Sequence, residues 1–285
     1  MAIALVETIA DLRARVAARR SAGPLGLVPT MGALHEGHAS LIRQARTECA
    51  TVVVTIFVNP IQFDRPEDLE RYPRSLDVDT RLCESLGVDL VFAPAVAEMY
   101  PRPLECKVEV GRLADHLCGR FRPGHFSGVA TVVLKLFEIV QADRSYFGEK
   151  DAQQLAVIRR LVSDFNVPTA IVGVPTVREP DGLALSSRNQ RLDASERQLA
   201  PALFQALQRV QSAIASGTTD VSDLKRLAAA EIPADARLRL EYFDIVDSID
   251  FQLVERVTGP VVVAGALWVG TTRLIDNVRA VPGQS

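Results

Sequence analysis

The chain has 285 residues, of which 48% are hydrophobic and 24% charged, and its formal net charge is −3. That length and balance suit a soluble globular enzyme with a large core and more than one domain. The slight acidity argues against a dominant nucleic-acid face, which would cluster Lys and Arg, and no apolar run approaches the roughly 20 residues needed to span a membrane.

The opening residues MAIALVETIADLRARVAARR read as a short strand and an amphipathic helix rather than a secretory signal. Cys49, Cys83, Cys106 and Cys118 are irregularly spaced, so neither a disulfide framework nor a metal site is expected and a reducing cytoplasm is the simplest compartment. A helix over 12–20 stops at Ser21-Ala22-Gly23-Pro24. From Leu25 an apolar run closes on a Gly-containing turn and reopens with helical periodicity over 39–48, the pattern of a strand delivering its end to a helix N-terminus. The β-branched run over 51–58, TVVVTIFV, has the composition of a strand buried on both faces of a parallel sheet.

Ser75 and Gly87 bracket a helix over 75–86 as cap and stop. Strands are expected at 89–93 and 107–110, a polar loop at 119–128, a helix at 131–140 and a strand end at 145–147. The charged turn Gly148-Glu149-Lys150-Asp151 then enters a helix over 153–165, and a strand follows at 169–174. Such alternation marks βαβ units, so the expected fold is α/β: a Rossmann-like parallel sheet flanked by helices, over residues 1–178. The polar stretch 178–189 breaks the rhythm. Beyond it, helices at 194–215 and 221–230 and strands at 240–246, 261–269 and 273–277 predict a smaller C-terminal α+β domain over 179–285.

Three features suit phosphate chemistry. At the turn PTMGALHEGH, a helix N-terminus supplies unpaired N–H donors and roughly half a positive charge. Gly32 and Gly37 permit close backbone approach, and His35 and His38 share one side of the first turn if the helix has begun by Glu36. The 148–151 turn adds Lys150, and the later loop adds Ser186, Ser187 and Arg188. An ATP triphosphate needs several such donors from separate elements. Asn59 and Gln62 sit at the carboxyl end of a buried strand, where open α/β sheets bind ligands, although a turn-stabilising role fits the pattern as well. No zinc spacing accompanies the histidines, and no G-x-S-x-G nucleophile elbow occurs.

PTMGALHEGH, with its H-x-G-H core, resembles the nucleotide-binding signature of enzymes related to class I aminoacyl-tRNA synthetases. Together with TIFVNPIQF, YPR at 72–74, RPGHFSGV, FGEKDAQQL and VREPDGLALSSRN, it resembles the pantothenate synthetase (pantoate–β-alanine ligase) family in order and spacing, from Pro29 to Asn189. The resemblance implies a cytoplasmic homodimer that joins pantoate to β-alanine with ATP and Mg²⁺, through a pantoyl adenylate, without nucleic acid or membrane partners. It implies an ATP site of Met31, Gly32, Ala33, Leu34, His35, Glu36, Gly37 and His38, completed by Gly148, Glu149, Lys150, Asp151, Val177, Leu185, Ser186, Ser187 and Arg188. Of these, His38, His35, Lys150, Ser186, Ser187 and Arg188 would be catalytic, while Gln62 and Gln154 would hold pantoate and Gln62 would also lie beside β-alanine. Asn59, Tyr72, Arg122 and His125 match family positions near the site without a sharp role. The metal ligands stay unknown, with Asp77 and Asp79 as outer-shell candidates. Ala142 stands where the family commonly has proline, and the domain after Asn189 matches only loosely. Another H-x-G-H nucleotidyltransferase and a non-catalytic ATP sensor are the alternatives.

Overall fold

The computed structural model describes residues 3–283. Two compact units emerge: one comprises the chain up to Val110, Arg122–Glu149 and Val157–Pro175, the other Gly111–Phe121, Lys150–Ala156 and the chain from Thr176 onward.

The first unit holds strands β1 (Ala4–Val6), β2 (Leu25–Thr30), β3 (Thr51–Ile56), β4 (Leu90–Phe92), β5 (Arg144–Gly148) and β6 (Ala170–Val174). All pair in parallel, in the order β1-β4-β3-β2-β5-β6. Between them run α1 (Ile9–Ala17), α2 (Glu36–Glu48), α3 (Pro66–Glu70), α4 (Leu76–Ser85) and α5 (Val96–Met99). A short α6 (Leu117–Phe121) belongs to the second unit, α7 (His125–Val140) returns to the first, and α8 (Ala152–Asp164) begins in the second and ends in the first. Val28, Val52, Val54 and Val91 pack against Leu41, Ile42 and Ala45 of α2 and Cys83 of α4. The alternate residues Leu27, Val53 and Leu90 are equally buried on the opposite face, which is why these strands read as continuous apolar runs rather than as alternation. Burying each such side chain contributes about 1.5–3 kcal/mol.

The second unit is an antiparallel sheet of β7 (Leu238–Asp247), β8 (Val261–Val269) and β9 (Thr272–Ala280), with α9 (Ala194–Leu199), α10 (Ala202–Ala215) and α11 (Val221–Glu231). Leu203, Leu207, Val210 and Ile214 of α10 and Leu224 of α11 close its core over Ile245, Val263 and Leu267. The polar stretch 178–189 is fastened to this unit. Arg178 bridges to Ala184 by backbone pairing, grips both oxygens of Asp276 at 2.5 and 2.9 Å, and lies over the Phe204 ring at 3.8 Å.

Three expected elements differ. Residues 107–110 form no strand: the Val108 and Val110 N–H groups donate instead to the side chains of Thr131 and Ser127 on α7, at 3.0 and 3.1 Å. The expected loop 119–128 is largely helical, because α6 runs to Phe121 and α7 starts at His125 after a left-handed Gly124. The single helix expected over 194–215 is split, with Pro201 at the break preceding α10, where a residue lacking an N–H cannot continue the ladder.

Candidate active site

In the sheet, β2 pairs with β3 on one side and β5 on the other. The winding reverses there, and ligands of open α/β sheets bind outside the carboxyl ends of the strands at such a point. The turn that leaves β2 is built for that place. Gly32 and Ala33 adopt φ +83° and +51°, so the chain doubles back immediately after Thr30. Its shape is held by Asp79 of α4, 1% exposed, whose carboxylate accepts the Ala33 and Leu34 N–H groups at 2.9 and 2.8 Å and the Ser75 hydroxyl at 3.3 Å. Ser75 thus caps α4 through Asp79 rather than through a backbone N–H. Asp79, expected as an outer-shell metal partner, spends its oxygens on the turn, while Asp77 is exposed.

Helix α2 begins at Glu36 and has His35 as its N-cap. His35 Nδ1 accepts the Gly37 N–H at 3.1 Å, and His38 Nδ1 accepts the His35 N–H at 3.3 Å. A ring nitrogen that accepts from a backbone N–H carries no proton, so the neutral form of each imidazole bears its hydrogen on Nε2. The two rings lie 4.2 Å apart. Gly37 is required beneath them, since a Cβ there would meet His35 Cε1 at 2.8 Å. Both histidines thus carry their hydrogen on Nε2 in the neutral form, beside the N-terminal dipole of a 13-residue helix. Glu36 faces solvent and pairs with Arg43.

Gln62 lies in the same unit, 8% exposed. Its Nε2 donates to the Met31 sulfur at 3.2 Å and its Oε1 accepts from Asn59 Nδ2 at 2.9 Å. Asn59 Nδ2 thus holds the oxygen end of the Gln62 amide, and it also donates to the Gly128 carbonyl at 3.2 Å. His125, expected in a loop, is on the first turn of α7, buried, with Nδ1 at 2.8 Å from the Gln62 carbonyl. Arg122 approaches His125 Nε2 at 3.1 Å and pairs with Asp64 at 3.1 Å. Because arginine can only donate, Nε2 accepts, and Nδ1–H is the donor to the carbonyl. Burial works to raise the Asp64 carboxyl, and the Arg122 charge overcomes it and holds the group below its usual range. Tyr72 packs edge-on against Phe63.

Gly148 ends β5 and Glu149 follows it in the first unit. In the second unit, Lys150, Ser186, Arg188 and Asn189 line one pocket with Arg273 and Asp276. The Lys150 carbonyl accepts from Asn277 at 2.9 Å, the Leu185 N–H donates to the Val177 carbonyl at 3.0 Å, and Ser186 caps the 3₁₀ turn Ser187–Arg191 by accepting the Arg188 N–H at 3.2 Å. Asp151 is exposed and Gln154 half-buried on the first turn of α8, next to Gln153, whose amide nitrogen donates to the Leu113 and His116 carbonyls at 2.8 Å. Sequence reasoning gave no role to Tyr100, whose hydroxyl donates to Asn59 Oδ1 at 2.8 Å. No local signal could have found that contact, since 41 residues separate the partners.

A parallel sheet with a histidine-bearing helix N-terminus at its switch point defines an α/β protein of the nucleotide-phosphate-binding kind. The family model for pantoate–β-alanine ligase matches residues 4–279, and the chain belongs to that family. It is 51% identical over 276 residues to pantothenate synthetase of Heliobacterium modesticaldum, covering 96% of this chain and 98% of that one. It is 54% identical over 273 residues to a bifunctional pantoate ligase/cytidylate kinase of Thermosynechococcus vestitus, covering 95% of this chain but 53% of that protein, so the chain spans about half the length of that relative. Among solved structures it is similar to pantothenate synthetase of Thermus thermophilus, with TM-score 0.92, 44% identity and coverage of 98% and 100%. It also resembles pantoate–β-alanine ligase of Francisella tularensis, complexed with β-γ ATP and β-alanine, with TM-score 0.81, 35% identity and 97% of each chain covered.

Proposed function

We propose that this chain condenses pantoate with β-alanine to give pantothenate, cleaving ATP to AMP and pyrophosphate through a pantoyl adenylate. The observation that carries the reading is the pair of Nδ1-accepting histidines, His35 and His38, at the N-terminus of α2. In the first step a pantoate carboxylate oxygen bonds to the α-phosphorus and the bond to pyrophosphate breaks. Negative charge grows on the non-bridging oxygens and on the departing group, where fixed N–H donors lower the barrier; a single comparable donor is worth ~3–4 kcal/mol. His38 Nε2–H is assigned to the α-phosphate and His35 Nε2–H to its neighbours, with Met31, Gly32, Ala33, Leu34 and Gly37 forming the bed of the turn. Lys150, Ser186, Ser187 and Arg188 supply further donors and positive charge to the nucleotide.

In the second step the β-alanine amine attacks the adenylate carbonyl, AMP leaves with the bridging oxygen, and the amine proton is released. The leaving group is already good, so no serine or cysteine nucleophile is needed. Gln62 and Gln154 are assigned to pantoate. Mg²⁺ would enter on the phosphate oxygens with several of its waters. Among the described residues no three His, Cys, Asp or Glu side chains gather as a metal site; a cation carried by the nucleotide would supply charge neutralisation there. None of the described helices is long and apolar enough to cross a membrane. The working form proposed is a cytoplasmic homodimer, as the family resemblance implies.

Pyrophosphate release tests the reading: it should require pantoate and ATP together and proceed in a first turnover without β-alanine. Release with an amino acid or cytidine triphosphate in their place would point to another nucleotidyltransferase, and ATP binding without any release to a sensor.

A further inference from the structure

An amide side chain placed beside a substrate recognises different groups depending on which end faces outward, and nothing in its own shape decides between them. For Gln62 the decision is made by neighbours. The Asn59 side chain is 1% exposed, and its Nδ2 lies between two acceptors, the Gly128 carbonyl at 3.2 Å and Gln62 Oε1 at 2.9 Å. Its Oδ1 lies 2.8 Å from the Tyr100 hydroxyl. Burial pushes the Tyr100 phenol upward, so it stays protonated and available as a donor throughout the neutral range. The Tyr100 ring is itself seated, 6.0 Å from Phe57 and beneath the Lys135 ammonium at 5.5 Å.

From these contacts we infer that Tyr100 is a positioning residue for the substrate-facing amide of Gln62, acting through Asn59. The inference rests on the assignment of Gln62 to pantoate. With the Gly128 carbonyl accepting from Nδ2 and the phenol donating to Oδ1, Asn59 is held by both ends, its oxygen toward Tyr100 and its nitrogen toward Gln62. Gln62 must in turn face Asn59 with Oε1 and present Nε2–H outward, where it meets Met31. The His125 donor on the Gln62 carbonyl fixes the backbone of the same residue. One Nε2–H is engaged by the Met31 sulfur, and the amide end left for substrate is a donor, complementary to the carboxylate or hydroxyl oxygens of a hydroxy acid and mismatched to an ammonium or amide N–H in that place.

Tyr100→Phe removes the donor and keeps the ring. Asn59 then keeps its nitrogen on the Gly128 carbonyl but loses the donor that anchors its oxygen, so its grip on the Gln62 amide loosens. Pantoate KM is expected to rise about tenfold, equivalent to about 1.4 kcal/mol, while ATP KM stays within about twofold. Melting temperature is not the readout, because a stranded Asn59 oxygen would lower it under any account. The decisive comparison is a double-mutant cycle with Gln62→Ala, in which there is no amide left to orient. In that background Tyr100→Phe should change pantoate KM by less than about twofold. An unchanged pantoate KM in the wild-type background, or the same factor in both backgrounds, overturns the inference. Should Tyr100→Phe fail to fold, Asn59→Asp replaces the nitrogen that faces Gln62 by an acceptor and goes through the same cycle with the same two outcomes. Absence of pantoate-dependent pyrophosphate release from the wild type would overturn the functional reading itself; its presence alongside an additive cycle removes Tyr100 alone.

Discussion

Replacing Asp79 by Asn changes almost no volume and tests what shapes the phosphate turn. The wild-type carboxylate receives three donors, Ala33 N–H, Leu34 N–H and the Ser75 hydroxyl. An amide in its place keeps its oxygen toward Ala33 and Ser75, where two donors converge, and must turn its NH₂ toward the Leu34 N–H. One hydrogen bond to a charged group is lost, worth ~1.5–3 kcal/mol, and a partly buried N–H is left facing another donor. Removing the burial cost of the charge offsets part of this, leaving a net destabilisation of roughly 2 kcal/mol. For a protein of 285 residues that is a fall in melting temperature of roughly 3–4 °C. The released N–H directly precedes His35, so the turn shifts and kcat/KM for ATP should fall about ten- to a hundredfold, as small misplacements near reacting groups do. Differential scanning calorimetry and steady-state kinetics measure both, with Asp77→Asn, an exposed position on the same helix, as the control. A melting temperature within about 1 °C of wild type together with unchanged ATP kinetics would show that the turn holds its shape without Asp79.

A Cβ on Gly128 would meet the Ile61 carbonyl oxygen at 2.4 Å and Gln62 Cα at 2.7 Å, so Gly128→Ala should raise pantoate KM about tenfold or more; a lower melting temperature with normal pantoate KM would contradict the placement. His38→Ala should slow adenylate formation about 10²–10³-fold in rapid-quench experiments while ATP affinity changes little, and equal losses would mean the residue binds the ground state. Gln154→Ala should raise pantoate KM roughly tenfold and leave ATP KM within about twofold, whereas unchanged pantoate kinetics would remove it from the site. Asp64, held low by Arg122, contributes stability that is fully present above the unfolded carboxylate value of about 3.9 and lost as pH falls through the lower folded value. The gap in urea midpoint between wild type and Asp64→Asn should therefore narrow from pH 5 to pH 3, and a gap that stays constant would show that the ion pair is not linked to folding.

The parts of the fold legible in the sequence were those encoded locally. Val52, Val53 and Val54 announce a strand buried on both faces, and the passage from Leu25 through Gly32 to Glu36 announces a strand, a turn and a helix start. What stayed hidden depends on contacts between distant segments. Asp79 reaches the turn across 45 and 46 residues, and Asn59 reaches Gly128 across 69; neither leaves a periodic trace. The run 107–110 alternates like a strand, yet side chains of α7 satisfy its N–H groups before any neighbouring strand does. RPGHFSG reads as loop because Pro123 and Gly124 are turn residues, but the left-handed Gly124 is what opens α7 and brings His125 beneath Gln62. The motif resemblance named the residues and was silent on how Asn59 and Asp79 orient their neighbours.

The adenylate is the centre of the chemistry, and oxygen tracing tests it most directly. Pantoate labelled with ¹⁸O in its carboxylate is incubated with ATP, β-alanine and the enzyme, and the products are analysed by mass spectrometry. Attack of the carboxylate on the α-phosphorus leaves one labelled oxygen on AMP after the amine displaces it, so ¹⁸O in AMP and none in pyrophosphate is the expected result. Label in inorganic phosphate with ADP as the nucleotide product would mean attack at the γ-phosphorus, and would contradict both the adenylate and the role given to His38.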